Sequence, residues 1–281
     1  MTKTLYEPQW SEYLKQFDIP SSHFQNIAAM TCKYCVIVEP RKMDIFPLVV
    51  KNFIYLLQNK GWGLIIFHGT KNGEFIKSHL ENIPHVIFEN LGLENLTIQQ
   101  YNHLLVHPPF WNFLVAQGCK HALIFQTDTL LLKDNVDDFL EYDYIGAPWK
   151  QEWVRGLTVG NGGLSLRNVD AMLRIIHTMG YNRVYDLYKR NGGMLNTCGF
   201  NEDIFFSYAS SFITKIPTVE IARQFSVETI FYDDPCGLHK PEAEIFKSQI
   251  WGNKNLVETQ SRLAVENVMS DIIKIIERSN V

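Results

Sequence analysis

Short apolar runs alternate with amphipathic segments through the first half of the chain. The runs at residues 35–38, 62–67 and 86–88 predict buried strands, because each is short and is followed by polar, proline or glycine residues. Between the first two runs, residues 46–58 carry apolar side chains at near-helical spacing. Strands and helices that alternate over about 130 residues predict an α/β fold with a mostly parallel central sheet flanked by helices.

Proline, glycine and capping residues predict where the helices begin and end. Thr97 and Gln100 have the spacing of a capping box, in which both side chains satisfy free backbone amides. Pro108 and Pro109 predict an interruption of that helix, because proline has no amide hydrogen to donate. Gly118 predicts the end of the continued helix.

The second half of the chain has a less regular pattern. Residues 144–149 and 164–166 predict strand fragments around a glycine-rich turn. Asn168 is of a type that caps helices, and the helix that it starts should reach Met179 and end at Gly180.

No internal repeat or low-complexity linker marks a domain boundary in the sequence. We therefore expect a single domain over residues 1–281, with one half at about 30–135 and a second half at about 136–250. Residues 263–278 place apolar side chains along one helical face, which predicts a C-terminal helix that packs against the body.

Composition is typical of a soluble globular protein. Hydrophobic residues make up 46% and charged residues 20% of the 281 residues, which is enough for a sizeable core. The net charge of −4 argues against broad nucleic-acid binding, which favours a basic face. No apolar stretch approaches the roughly 18 residues of a transmembrane segment, and the first residues have no signal-peptide core. The expected location is therefore cytoplasmic.

Five cysteines, an odd number, do not suggest a disulfide framework. Cys32 and Cys35 have the spacing of half a zinc site, but no second Cys or His pair follows at a matching distance. We favour two half-buried thiols at the start of a strand, with structural zinc or redox chemistry as the alternative.

Residues 121–132 form an apolar run that presents one carboxylate, Asp128, at the end of a predicted strand and then turns apolar again. Glu39, Arg41 and His68 are predicted at the same carboxyl edge of the sheet, where α/β proteins bind ligands. Mg²⁺ and Mn²⁺ favour oxygen ligands and are often held by one or two carboxylates plus substrate phosphates. Asp128 is therefore a candidate metal ligand; an aspartate that caps the following turn is the alternative.

Gln126, Thr127 and Asp128 resemble the Asp-any-Asp signature of GT-A nucleotide-sugar glycosyltransferases, with Gln126 in the place of the first acid. In that family the second acid binds the metal that bridges the diphosphate of the donor. The resemblance assigns this role to Asp128 and implies a Mn²⁺ or Mg²⁺ cofactor, while Gln126 offers a neutral oxygen to the ribose or to a metal-bound water. It also implies a GT-A, Rossmann-like domain, whose first half binds the nucleotide sugar and whose second half holds the acceptor and the catalytic acids.

The stretch from Gly160 to Arg167 resembles the glycine-rich segment that lies beside donor and acceptor in this superfamily. Adjacent glycines such as Gly162 and Gly163 let the backbone approach a ligand closely and accept positive φ. Asn161 adds an amide that can bond sugar hydroxyls. A plain tight hairpin turn is the alternative.

Glu202 and Asp203, which follow Asn201, resemble the acidic motif that precedes a helix in many inverting GT-A enzymes. There, one acid acts as general base toward the acceptor hydroxyl. A carboxylate within hydrogen-bond reach of the hydroxyl suits that task, and partial desolvation can raise its pKa toward working pH. We assign the role to Asp203, with Glu202 as the close alternative; both acids can also simply favour the start of a helix.

His239 and Lys240, between Gly237 and Pro241, resemble the late histidine segment of many GT-A enzymes, in which the histidine completes the metal shell. The resemblance makes His239 the second metal ligand, and Lys240 can neutralise the leaving diphosphate as a point charge. The flanking glycine and proline predict a loop.

Weaker assignments follow from position alone. Glu39, Arg41 and His68 resemble the nucleotide-facing edge of the fold, where Arg41 can reach phosphate. Trp149 and Trp153 are expected on the acceptor side, because aromatic faces suit sugar rings; a place in the core is the alternative.

These segments, together with residues 144–149 and 225–228, also resemble a family of glycosyltransferase-like domains found in microbes, fungi and large viruses. The expected function is metal-dependent, inverting transfer of a sugar from a nucleotide diphosphate donor to a hydroxyl of a glycan or glycoconjugate. A non-catalytic nucleotide-sugar or glycan binding module is one alternative, suggested by Gln126. A metal-dependent phosphoesterase is another, although the sequence does not show the dense His/Asp clustering of a two-metal site.

Overall fold

The computed structural model describes residues 13–195 and 199–240, which form two sheets. The larger sheet contains β1 (Lys33–Glu39), β2 (Gly63–His68), β3 (Val86–Asn90), β4 (His121–Phe125), β6 (Tyr144–Gly146) and β7 (Leu164–Asn168). The smaller sheet contains β5 (Thr129–Leu131), β8 (Ser226–Val227) and β9 (Gly237–His239). The strands predicted from the apolar runs are all found, with small shifts at their ends.

The strand order of the larger sheet is β3-β2-β1-β4-β7-β6. β1 pairs in parallel with β2 and β4, and β2 pairs in parallel with β3. β7 is antiparallel to both of its neighbours, β4 and β6. Parallel neighbours require crossover connections, which the helices supply. The mostly parallel, Rossmann-like α/β sheet predicted from the sequence is therefore confirmed.

Eight α-helices are described: α1 (Phe46–Leu57), α2 (Gly73–His79), α3 (Ile98–Leu105), α4 (Pro108–Ala116), α5 (Val169–Thr178), α6 (Tyr181–Arg190), α7 (Glu202–Ile213) and α8 (Val219–Phe225). Short 3₁₀ helices lie at Ser21–His23, Gln58–Lys60 and Asn135–Phe139.

The predicted helix boundaries are confirmed. Both hydrogen bonds of the capping box are present at the start of α3: the Gln100 amide donates to Oγ1 of Thr97 at 3.2 Å, and the Thr97 amide donates to Oε1 of Gln100 at 2.8 Å. α3 stops before Pro108, where α4 begins, and Gly118 follows α4 with a φ of 78°. The Asn168 side chain caps α5.

Helices cover both faces of the larger sheet, and an apolar core fills each side. On one side, Phe53 of α1 stacks on Phe125 of β4 with ring centroids 3.9 Å apart, a type of contact worth about 0.5–1.5 kcal/mol beyond burial. On the other side, Trp111 of α4 packs edge-on against Phe206 of α7. Strands buried on both faces appear in the sequence as continuous apolar runs, which explains why they were easy to predict.

The smaller sheet fixes the position of His239. β9 is antiparallel to β5, with His239 opposite Thr129, and parallel to β8. The buried Asn52 of α1 anchors β5 through hydrogen bonds of 2.8 and 2.9 Å with the amide and carbonyl of Leu131. The prediction of a loop around His239 is wrong, since this residue ends a strand and is only 2% exposed. The ladder with β5 satisfies the backbone there, and a pairing so distant in the chain leaves no local signal.

Several expectations fall outside the two sheets. The predicted helix at residues 263–278 lies outside the described residues. Among the residues that are described, no helix combines the length and apolar character needed to cross a membrane. The four cysteines in the described ranges are free thiols; Cys32 is exposed, whereas Cys35 is fully buried, which raises the pKa of its thiol.

Candidate functional site

The carboxyl edge of the parallel strands gathers polar residues predicted to lie there. β1 ends at Glu39, β2 ends at His68, and Asp128 follows shortly after β4. The register of β1 and β2 places Glu39 beside His68. His68 is buried, and its Nδ1 lies 2.8 Å from the carbonyl oxygen of Gly69.

Glu39 and Arg41 form a two-pronged ion pair, with Nε and Nη2 of the guanidinium 2.8 and 2.6 Å from the two carboxylate oxygens. The buried Asn72 donates to the carbonyl oxygens of both residues and accepts from the Gly69 amide, which ties together the segments after β1 and β2. The hydrogen bond with Glu39 is the main cause that raises the pKa of Arg41, and the Asp128 charge adds to it. This edge is thus electrostatically connected to Asp128.

Asp128, His239 and Lys240 form a polar cluster beyond the end of β4. The Lys240 amide donates to the Asp128 carbonyl at 3.0 Å. The Asp128 carboxylate lies 3.6 Å from Nε2 of His239 and 3.7 Å from Nζ of Lys240. Oδ1 of Asp128 and both ring nitrogens of His239 are buried without a hydrogen-bond partner among the described residues.

These orphaned atoms fit the donor set of a divalent cation. Carboxylate oxygen and imidazole nitrogen both bind first-row divalent metals. Two such ligands, each about 2.0–2.2 Å from one ion, can be separated by the 3.6 Å found between Asp128 and His239. Within residues 13–195 and 199–240, no group of three or more His, Cys, Asp or Glu side chains forms a metal-binding arrangement. The pair therefore fits a cation that obtains its remaining ligands from phosphate and water.

The segment from Gly160 to Gly163 connects this cluster to the start of α7. Gly163 packs directly against the His239 ring, and a Cβ at this position would overlap the imidazole. A Cβ at Gly162 would lie 2.6 Å from Oε1 of Glu202 and 2.9 Å from Cβ of Asp203. The Gly162 amide also approaches Oδ2 of Asp203 at 3.4 Å. Two consecutive glycines therefore touch the histidine on one side and the acids on the other.

Glycine is required at positions 162 and 163 because neighbouring side chains lie close to the backbone there, and not because the backbone conformation is unusual. Gly160 has a positive φ of 126°, whereas neither Gly162 nor Gly163 adopts a positive φ. The tight hairpin considered from the sequence is also not found, because residues 147–163 separate β6 from β7. Asn161 is 9% exposed, and its side-chain oxygen accepts from the Gly163 amide at 2.9 Å, so it shapes the segment.

Glu202 is held in a buried ion pair with Arg167 of β7. The guanidinium nitrogens lie 2.7 and 3.2 Å from the two carboxylate oxygens, and the third nitrogen donates to Ser165 Oγ at 2.9 Å. The Arg167 side chain is 0% exposed and that of Glu202 is 5% exposed. Burial alone would lower the pKa of Arg167, but the Glu202 carboxylate raises it and the net shift is upward. Arg167 therefore keeps its charge beside the Glu202 carboxylate.

Asp203, the residue after Glu202, has a carboxyl group with a raised pKa. Burial raises the pKa of its carboxyl to about 7, and the adjacent Glu202 carboxylate contributes in the same direction. The Ile204 amide donates to its Oδ1 at 2.7 Å, which partly opposes the shift. A carboxyl group with a pKa near neutrality can exchange a proton at physiological pH.

Tyr101 of α3 is a site residue that the sequence analysis missed. Its hydroxyl is buried and faces the Gln126 side chain. Burial raises the pKa of Tyr101, the Glu202 carboxylate raises it further, and the Gln126 side chain lowers it. Asp128 also contributes to the rise, so the hydroxyl responds to carboxylates at both ends of the site.

Other predicted residues lie at the margin of this arrangement. Thr127 is 9% exposed and directs its hydroxyl toward the sulfur of Met43 at 3.7 Å. Trp149 is 7% exposed and packs edge-on against Trp153 in the core. Trp149 therefore lies in the core, which was the alternative to an acceptor-binding role, and little of its ring is available to stack on a sugar.

Glu228 and Arg167 were also missed as functional residues, although both belong to segments singled out in the sequence. Glu228 follows β8 and lies 3.3 Å from Nδ1 of His239. The sequence pattern indicated the two segments but not the roles of these side chains. A charged residue beside a short apolar run can be either exposed or buried, and the sequence alone does not distinguish the two.

Residues 82–239 match the model of the family described as "Protein of unknown function (DUF5672)". The match spans more than half of the chain, which therefore belongs to this family. It begins just before β3 and ends at His239, so it includes Asp128, Gly162, Asp203 and Glu228.

No curated protein matches the sequence. Among solved structures, mouse xyloside xylosyltransferase 1 in its apo form has a TM-score of 0.49 at 10% identity, over 74% of this chain and 97% of that chain. A cytidylyltransferase from Leptospira borgpetersenii serovar Hardjo-bovis has a TM-score of 0.35 at 8% identity, over 58% of this chain and 72% of that chain. At this level of similarity, the fold description rests on the strand order and not on these likenesses.

Proposed function

We propose that this protein is a GT-A type glycosyltransferase that moves a sugar from a nucleotide diphosphate donor to a hydroxyl of a glycan or glycoconjugate. The observation that carries the proposal is the Gly162-Gly163 pair, which touches His239 on one side and Glu202 and Asp203 on the other. Sugar transfer needs positive charge on the departing diphosphate and a base for the acceptor hydroxyl. Here the groups suited to these two tasks, His239 and Asp203, lie on either side of Gly162 and Gly163.

The donor side of the proposed site combines the half-exposed Asp128 carboxylate with two cationic side chains, Lys240 and Arg41. Asp128 and His239 would hold Mn²⁺ or Mg²⁺, which when bound neutralises charge that develops on the leaving diphosphate. Lys240, whose Nζ is 3.7 Å from the Asp128 carboxylate, adds a positive charge. Arg41 at the neighbouring strand end is paired with Glu39 and could contact phosphate through the half-exposed part of its guanidinium side chain. Gln126 contributes no negative charge, so the diphosphate meets a less acidic surface than two carboxylates would provide.

On the acceptor side, we assign to Asp203 the role of the base that deprotonates the acceptor hydroxyl. Glu202 is neutralised by Arg167, with nitrogen–oxygen distances of 2.7 and 3.2 Å, and this pairing holds its carboxylate away from proton transfer. Asp203 has no arginine partner of this kind among the described residues, and its pKa of about 7 suits a group that accepts a proton near neutral pH. A base that acts directly on the acceptor hydroxyl is suited to a single displacement with inversion.

The test is a thermal-shift screen of nucleotide sugars, each with and without Mn²⁺. A ligand that binds the native state stabilises it by about 2.7 kcal/mol at 100 times its Kd. We expect one nucleotide class to raise Tm, and to do so more strongly with Mn²⁺. With that donor and a panel of acceptors, nucleoside diphosphate should be released. If no nucleotide sugar raises Tm in the presence of Mn²⁺, the proposal fails.

A binding module without catalysis is the second candidate, and Gln126 is the observation that favours it. Replacement of the first acid by an amide reduces the charge available for a cation. In that case, nucleotide sugars would raise Tm, but no acceptor would cause release of nucleoside diphosphate. Hydrolysis with water as the preferred acceptor would instead indicate a phosphoesterase or nucleotide-sugar hydrolase.

A further inference from the structure

Glu228 lies beside His239 because of the pairing between β8 and β9. Ser226 is opposite Gly237 and Val227 is opposite Leu238, which brings Glu228, the residue after β8, close to His239, the last residue of β9. Oε1 of Glu228 is 3.3 Å from Nδ1 of His239. The two residues are 4% and 2% exposed, so this contact is shielded from solvent.

The His239 ring therefore stands between two carboxylates in different environments. On the Nδ1 side is Glu228, whose side chain is 4% exposed; on the Nε2 side, at 3.6 Å, is Asp128, whose side chain is 43% exposed. A buried carboxylate is costly unless a donor satisfies it. Oε2 of Glu228 has no hydrogen-bond partner among the described residues, and Nδ1 of His239, 3.3 Å from Oε1, is placed where a ring N–H could supply a donor to this carboxylate.

Gly163 restricts how the ring can respond. Its backbone packs directly on the imidazole, and even a methyl group at this position would overlap ring atoms. The ring is thus held with one nitrogen toward each carboxylate. Neither nitrogen has a hydrogen-bond partner in the described ranges.

We infer that Glu228 is a positioning residue for His239: its carboxylate takes the hydrogen on Nδ1 and leaves the lone pair of Nε2 directed toward Asp128. This inference rests on the proposed function, in which Nε2 and Asp128 together bind the cation. A ligating histidine whose second nitrogen donates to a carboxylate has a fixed tautomer and is a stronger ligand. Without a cation, the Nε2 lone pair and the Asp128 carboxylate face each other unfavourably, so the site is prepared for a positive charge.

The first measurement needs no ligand. In metal-free protein labelled with ¹⁵N-histidine, the ring-nitrogen shifts of His239 report which nitrogen carries the proton, and His239→Gln identifies its signals among the nine histidines. At a pH well above the ordinary histidine value of about 6.5, where the ring is neutral, we expect its proton on Nδ1. Glu228→Leu should move the population toward the Nε2-protonated tautomer, whereas Glu228→Gln, whose amide oxygen can still accept, should retain much of the original signal.

The second measurement is Mn²⁺ affinity in the presence of a nucleoside diphosphate, followed by the paramagnetic signal of free Mn²⁺. Loss of a partner of this type lowers metal affinity by about 10–100-fold. We expect a loss in that range for Glu228→Leu and a smaller loss for Glu228→Gln. Glu220→Leu is the matched control, because Glu220 is an exposed glutamate on α8, and it should leave both measurements unchanged.

The outcomes separate this inference from the proposed function. Identical ring-nitrogen shifts in wild type and Glu228→Leu, or a neutral wild-type ring with its proton on Nε2, would overturn the positioning role. If the tautomer changes as expected but wild-type protein binds no Mn²⁺ with nucleoside diphosphate, Glu228 does orient His239 and the proposed function is wrong. If Glu228→Leu does not fold, a neutral wild-type ring with its proton on Nε2 would still overturn the inference, and Glu228→Gln still tests the contribution of Glu228.

Discussion

The two ends of the candidate site carry the same kinds of charged groups in opposite environments. At the donor end, Asp128 and Lys240 are each 43% exposed and their charged atoms are 3.7 Å apart. At the acceptor end, Arg167 and Glu202 are 0% and 5% exposed and form two hydrogen bonds. An exposed pair contributes about 0–1 kcal/mol, whereas loss of one partner from a buried pair costs about 3–5 kcal/mol.

At the Asp128 end, the charged groups are exposed and loosely paired, so a ligand could replace one partner. At the Glu202 end, the charged groups are buried and satisfy each other. The Asp128 carboxylate is only loosely paired and can exchange Lys240 for a cation. The Arg167–Glu202 pair is saturated and instead creates the environment of Asp203, whose pKa burial and the Glu202 charge raise to about 7. In the proposed function, one aspartate, Asp128, would bind a ligand and another, Asp203, would transfer a proton, because their environments differ.

The largest expected effect comes from the buried end. Asp203→Asn should lower kcat by about 10²–10⁴-fold, because it removes the base while leaving the volume nearly unchanged. Wild-type kcat/KM should rise with pH through about 7, as Asp203 loses its proton, and this limb should be absent from the variant. Asp186→Asn, an exposed change on α6, is the control. A variant that keeps the limb would remove Asp203 from the mechanism.

The same shift predicts a pH dependence of stability. The pKa of Asp203 is raised in the folded protein from its ordinary value of 3.8 to about 7, so the folded state binds more protons than the unfolded state between these values. The free energy of unfolding contributed by this group therefore falls as pH rises through that window. Urea unfolding should show the decline in wild type and a flatter profile in Asp203→Asn.

The next effect concerns the exposed end. Asp128→Ala should reduce turnover by about 10²–10³-fold, the scale expected for loss of one charge-stabilising contact in a transition state. Its stability should change by less than about 0.5 kcal/mol, since the side chain is 43% exposed. Asp234→Ala provides a control, because that carboxylate is 68% exposed and pairs with Lys133. Near-wild-type turnover with saturating Mn²⁺ would contradict the donor assignment.

Arg167→Met should have the reverse profile, with its main effect on folding. It leaves the Glu202 carboxylate buried and unpaired, which costs about 3–5 kcal/mol. The double variant Arg167→Met/Glu202→Leu should recover much of this loss, because it removes both charges. Urea denaturation measures all three proteins. If the single variant is as stable as wild type, the pair is not buried in solution as described.

The contrast between the two ends also explains what the sequence could predict. Strand runs, the Thr97 cap and the position of Asp128 depend on neighbours in the chain, and these predictions agree with the structure. Burial of Arg167, Tyr101 and Glu228 depends on contacts between distant segments. A single sequence does not reveal such contacts, so these residues were missed.

His239 and Trp149 illustrate the same limit. Flanking glycine and proline suggested a loop for His239, but pairing with β5 makes it the end of a buried strand. Consequently, His239→Ala is expected to lower the stability of the protein. The tryptophan type alone could not distinguish a sugar platform from a core residue, and the structure buries Trp149 to 7% exposure.

The smallest expected effect tests whether the donor end can be made more like a two-acid site. Gln126→Asp adds a carboxylate near Tyr101 and Asp128, and a further anionic oxygen should tighten Mn²⁺ binding on the order of 10-fold. Gln126→Asn is the matched control, because it has the size of aspartate without the charge. Mn²⁺ titration of both variants, without nucleotide, isolates the contribution of charge. If their affinities are equal, position 126 is outside the reach of the cation, and its amide serves the ribose or the Tyr101 hydroxyl instead.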